Sequence, residues 1–254
     1  MVKRLILFRV RLTLKKLNNK RLLMRLNRKR KQGKSALHIL HVGKTGGTAI
    51  RYALRRYQQT DRYVIYLHYH NFTLRDVSEG EEVIFFLRDP ITRFVSGFLD
   101  RYHQSQPRYF APWSKGEREA FKYFHTPNQL AMALSSEDAS EKAMAENAML
   151  SIKHVNFYSD WLENAEYLLV RLPDIFFIGF QETLTEDFEA LKSKLDIPGT
   201  LKLPYDDVLA HKNIRDSDHN LEKAALDNLR NWYEQDYNLI SQCMKIREYL
   251  MGTW

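Results

Sequence analysis

A single cysteine in 254 residues, Cys243, excludes a disulfide framework and any zinc site built on thiolates. Ten glycines and seven prolines are too few for a collagen-like or low-complexity chain. Acidic residues are absent from positions 1–34, which carry fourteen of the 39 Lys and Arg. The other 220 residues hold 25 basic and all 31 acidic side chains. The formal charge of +8 is therefore a strongly basic arm on a slightly acidic body, and the body gives no reason to expect nucleic-acid binding. No run approaches the ~18 apolar residues of a membrane span. The longest uncharged run in the arm, Leu5 to Phe8, is far short of the roughly 7–15 residues in a secretory signal core. The chain thus reads as cytoplasmic.

What is present is a core-forming composition, 44% hydrophobic and 13% aromatic. In the arm, Leu7, Val10, Leu14 and Leu17 recur at helical spacing among Lys and Arg. That pattern suits an amphipathic helix lying on an anionic membrane surface, at the inner face of a membrane; a solvated basic tail is the plainer reading. Gln32 to Ser35 marks a hinge, dividing an arm over 1–34 from a domain over 35–254.

Residues 36–42 predict a buried strand running into Gly43-Lys44-Thr45-Gly46-Gly47-Thr48, after which Ala49, Ile50, Ala53 and Leu54 take helical spacing. A strand, a glycine-rich turn and a helix start together form an anion cradle, because free N–H groups and the helix dipole favour negative charge. A Walker loop would need a glycine at position 38, which is His38. Residues 82–87 predict a second strand ending in Arg88-Asp89-Pro90, with a helix from Ile91 to about His103. Asp89 is a capping carboxylate and Pro90 a first-turn proline. Arg88 stands at a strand's carboxyl end and Ser96 just over two turns into the helix, so both could reach one anion.

The pair of motifs, GKTGGT after one strand and Arg88-Asp89-Pro90 with Arg93, Ser96 and Phe98 after another, resembles the sulfotransferase superfamily. Softer similarity continues at Phe176 to Glu182, at His211 to Arg215 and at Asp236-Tyr237. The resemblance implies an α/β fold of three layers, P-loop-like, with a short, largely parallel central sheet flanked by helices. It implies 3′-phosphoadenosine 5′-phosphosulfate (PAPS) as the sulfuryl donor, with no metal. It places the 5′-phosphosulfate on Lys44, Thr45, Gly46, Gly47, Thr48 and Ala49, and the 3′-phosphate on Arg88 and Ser96. Lys44 would also act on the leaving oxygen.

The acceptor hydroxyl needs a base. Residues 62–70 predict a strand whose alternation sets His68 and His70 on one face, Tyr69 on the other. Histidine titrates near neutrality. The His-x-His is similar to that of the heparan and dermatan 2-O-sulfotransferases, which implies His70 as base and a carbohydrate acceptor; a glycolipid would suit the basic arm. An acidic residue or another histidine is the alternative base. Tyr109, Phe110 and Trp113 form an aromatic loop that could face a sugar or simply pack. A nucleotide or small-molecule kinase and a non-catalytic membrane-peripheral module are the competing classes. Residues 117–171 predict helices, and 219–250 one long helix.

Overall fold

The computed structural model describes Met24, Arg28 and residues 33–107, 109–204 and 220–252. Four strands build the sheet: β1 (Ser35–Ile39), β2 (Tyr63–Leu67), β3 (Glu82–Leu87) and β4 (Ile175–Phe180). Every neighbouring pair is parallel, in the order β2-β1-β3-β4. The helices are α1 (Gly47–Leu54), α2 (Pro90–Tyr102), α3 (Lys115–Tyr123), α4 (Pro127–Ala133) and α5 (Ala139–Ser151), followed by α6 (Ser159–Leu162) and α7 (Ala165–Val170). After β4 come α8 (Leu184–Lys194), α9 (Lys223–Trp232) and α10 (Glu234–Gly252).

A parallel sheet with helices on both faces needs strands that are apolar on both. In β3, Val83, Phe85 and Leu87 meet α6, α7 and α10, while Ile84 and Phe86 meet α1 and α8. Three layers result. Beside them α2, α3, α4, α5 and α9 form a helical annex around Phe94, Phe98, Phe121, Leu130, Met149 and Leu229. Strand order reverses between β1 and β3, one chain turning away to β2 and the other towards β4. Such a switch point opens a crevice at the carboxyl ends of the strands, where ligands bind in open α/β sheets. Both sequence motifs end there.

Some expectations change. β2 stops at Leu67, opposite Ile39, so His68 and His70 lie beyond it and strand alternation no longer governs them. The long C-terminal helix is two helices broken at Tyr233, whose fully buried hydroxyl donates to the Val155 carbonyl at 2.5 Å. Apolar spacing runs through the break because both helices turn a face to the core. In the aromatic loop, Trp113 donates its indole N–H to the Arg101 carbonyl (2.7 Å) and packs on Tyr102 and Phe121. Its role is packing. Most of the basic arm, with Leu7, Val10, Leu14 and Leu17, lies outside the described residues, as does His211 to Arg215. Among the described residues no helix is long and apolar enough to cross a membrane.

Candidate active site

The loop after β1 reaches α1 through two left-handed residues, Lys44 (φ 66°) and Gly46 (φ 83°). Gly46 suits that backbone, and a Cβ there would come within 2.9 Å of Leu184. The Ala49 and Ile50 N–H groups both reach the Gly46 carbonyl (3.0 and 3.3 Å). Ala49's N–H is therefore taken, against the expectation that it faces a ligand. Those of Gly46, Gly47 and Thr48 have no acceptor among the described residues, as at any uncapped helix start, and they sit at the positive end of the helix dipole. The Thr45 hydroxyl, expected as a ligand donor, is buried and donates to the Val42 carbonyl (3.1 Å), holding the turn instead.

At the end of β3, the Arg88 backbone is clamped by Tyr158. The Arg88 N–H donates to the phenol oxygen (3.0 Å), and the phenol donates back to the Arg88 carbonyl (2.6 Å). Asp89 caps α2 by accepting from the Thr92 N–H (2.9 Å) and also accepts from the Tyr237 hydroxyl (3.0 Å). The Arg88 side chain donates from Nε to the Thr92 hydroxyl (3.0 Å), along the helix face that also carries Ser96 one turn on. Burial lowers the guanidinium pKa, and nearby Glu182 works against it. A partly desolvated guanidinium whose side-chain hydrogen bond among the described residues is to a neutral hydroxyl is well suited to an anion.

Arg93, which follows the first motif arginine by five positions, does different work. It is fully buried and donates to the carbonyls of His154 and Asn156, and its guanidinium lies over the Tyr158 ring at 4.4 Å. It also pairs with buried Asp236 of α10 at 3.5 Å. Asp236 Oδ1 accepts from the Tyr158 N–H (2.9 Å), while Oδ2 has no hydrogen-bond partner among the described residues. Burial raises the Asp236 pKa from 3.8 to about 6, against the pull of Arg93. Because the folded value is the higher one, the folded state is favoured while the group is protonated. That stability is complete below about pH 4 and is lost as pH rises through 6. Asp236→Asn keeps the hydrogen bond from Tyr158 and removes the titration. Its stability relative to wild type is expected to rise by up to roughly 3 kcal/mol between pH 4 and 7. Denaturant midpoints across that range provide the check; a constant difference would contradict it.

Arg93 thereby fixes the turn that presents His154, a residue with no sequence signal. His154 is left-handed (φ 73°), and Gly97 of α2 lies so close beneath it that a Cβ would come within 2.6 Å of its carbonyl oxygen. Its Nδ1 faces Asp100 Oδ2 at 3.1 Å, and Asp100 Oδ1 faces Lys44 Nζ at 3.7 Å. Burial lowers the His154 pKa despite Asp100, so the neutral ring donates from Nδ1. Asp100 also escaped the sequence reading. Its signal was available: Arg93, Ser96 and Asp100 are buried polar residues at i, i+3 and i+7 on one helix face.

The His-x-His segment divides. His70 is exposed, and its ring lies 3.9 Å from that of His41 and 5.1 Å from that of His154. Its Nδ1 is 3.2 Å from the His41 carbonyl, which can only accept, so in the neutral ring Nδ1 carries the hydrogen and Nε2 the lone pair. Trp161 donates to the His70 carbonyl (2.8 Å). Arg51 of α1 donates to the His68 carbonyl (2.8 Å) and stacks over Tyr69 at 3.8 Å, tying the segment to the donor-loop helix. His68 turns the other way, against the expectation of a shared face. Its Nε2 meets His38 Nδ1 (2.8 Å), His38 Nε2 meets Glu81 (2.8 Å), and Phe72 stacks on its ring at 3.5 Å. Burial pushes the His68 pKa down to about 3, so it stays neutral.

A parallel sheet with a glycine-rich turn, a helix start and an arginine-tipped strand at its switch point defines a P-loop-like, phosphate-binding α/β enzyme. The chain belongs to the sulfotransferase family, whose model matches residues 18–240. It is a PAPS-dependent sulfotransferase. Neither curated proteins nor solved structures give a significant match. Among the described residues no group of three or more His, Cys, Asp or Glu is placed to hold a metal ion.

Proposed function

We propose that the chain transfers the sulfuryl group from PAPS to a hydroxyl of a carbohydrate or glycolipid. The observation that carries this reading is convergence at the switch point. His154 links the Lys44 loop to exposed His70: its ring is near that of His70, and its partner Asp100 reaches Lys44. The N–H groups of Gly46, Gly47 and Thr48, unengaged among the described residues, and the Lys44 ammonium fit the donor's 5′ end. Arg88 at the end of β3, its side chain lying along the α2 face that carries Ser96, fits the 3′-phosphate together with that hydroxyl. PAPS, when bound, supplies the sulfuryl group and a phosphate leaving group. Lys44 then offers a compact positive charge to the leaving oxygen, and His70 Nε2 takes the proton from the acceptor hydroxyl. The basic arm over 1–34 supports delivery to an anionic membrane surface, where a lipid-linked sugar would be found.

Calorimetry with adenosine 3′,5′-bisphosphate, and separately with ATP and Mg²⁺, tests the donor site: the bisphosphate is expected to bind and ATP not. Arg88→Ala should weaken bisphosphate binding by about tenfold or more, the loss of one charge-assisted pair, and Ser96→Ala by less. Unchanged affinity in both variants would remove the 3′-phosphate from this strand end. Labelled PAPS offered with oligosaccharide and glycolipid panels identifies the acceptor class; sulfation confined to non-sugar hydroxyls would refute the carbohydrate reading.

A further inference from the structure

We propose that Asp100 is a positioning residue for Lys44, holding its ammonium as an internal counter-ion that the donor's anionic end must displace. The inference rests on the donor-site reading above. The pair is removed from water, with side-chain exposures of 7% for Lys44 and 1% for Asp100. At 3.7 Å the contact is nonetheless too long for a hydrogen bond and is an electrostatic attraction. A phosphate oxygen at hydrogen-bonding distance competes well against such a contact.

The carboxylate is also built to survive the exchange. Asp100 Oδ2 accepts from His154 Nδ1 (3.1 Å) and from the Ser105 hydroxyl (3.3 Å), and neither donor depends on the lysine. A buried carboxylate stripped of every donor would be costly; this one keeps two. Arg101, next in sequence, is engaged by Glu117 through Nε (2.7 Å) and a second nitrogen (3.0 Å). It does not take the place of Lys44. The backbone agrees with a held side chain. Lys44 and His154, which face the two different oxygens of Asp100, are both left-handed without being glycine. Such strain persists where the surroundings over-determine it, which is common at ligand clamps.

Asp100→Asn separates this role from a merely structural one, because the amide oxygen still accepts from His154 while the charge is gone. Affinity for adenosine 3′,5′-bisphosphate, read by calorimetry, is expected to rise about five-fold or more. Structural damage would lower it. In a Lys44→Ala background the gain is expected to vanish, since the two residues then no longer couple. If wild type fails to bind the bisphosphate, the donor-site reading falls and this inference with it. If wild type binds and Asp100→Asn gains nothing, or keeps its gain without Lys44, only the counter-ion role is overturned. Should Asp100→Asn not fold, His154→Gly decides, because glycine tolerates the positive φ. Freed of its imidazole donor, the carboxylate holds Lys44 more tightly, and bisphosphate affinity should fall about threefold or more. That loss is expected to disappear in the Lys44→Ala background; a loss that persists there refutes the proposal.

Discussion

Lys44→Ala is expected to slow sulfuryl transfer about 10²–10³-fold, while affinity for adenosine 3′,5′-bisphosphate changes far less. The asymmetry follows from where charge develops. In the proposed donor site, several N–H groups at the start of α1 would share the phosphate with the lysine in the ground state. In the transition state the leaving oxygen gains negative charge, and a compact ammonium stabilises it more than a backbone N–H can. Removing Lys44 should also spare the fold, because Asp100 retains His154 and Ser105 as donors. Turnover with labelled PAPS, set beside calorimetric affinity for the bisphosphate, tests this. Equal losses in the two would reduce Lys44 to a binding residue.

The second large effect belongs to His70. His70→Ala should cost about 10²–10⁴-fold in rate, the range for a positioned base, with bisphosphate affinity nearly intact. Wild-type rates should rise with pH as the imidazole loses its proton, and the variant's profile should lack that acid limb. His68→Ala supplies the contrast. With its pKa held near 3 by burial, His68 stays neutral across the working range, so its loss should lower the melting temperature and leave the acid limb in place. An acid limb that survives in His70→Ala would move the base elsewhere, and His154, 5.1 Å away, would be the next residue to test.

Legibility in the sequence followed the range of the physics. The glycine turn after β1 and the Asp89-Pro90 helix start are decided within a few residues by backbone freedom, capping and a fixed proline φ, so both were readable. The two-sided apolar strands were readable for the same reason, since both faces of the sheet are covered. The shared face expected of His68 and His70 was lost because alternation holds only inside a ladder, and the ladder ends at Leu67. His154 could not be found by any local rule. Its place depends on Arg93 grasping the carbonyls of residues 154 and 156 from a helix more than fifty residues earlier. Arg93 itself, part of a motif read for ligands, proved to be the residue that holds that turn.

The all-parallel sheet also decides when this chemistry can first exist as the chain folds. Parallel neighbours cannot be joined by a tight turn, and β4 pairs with β3 only after more than eighty intervening residues. The proposed site would draw on residues 41–48, 68–70 and 88–100 before that long connection is half complete, and on 154–161 near its end. High contact order of this kind makes folding slow and late to close. A chain emerging from the ribosome thus carries the whole glycine loop well before it carries a reaction centre. Transfer activity in a refolding experiment should appear with the docking of β4 and not with the earlier β1–β2–β3 pairing.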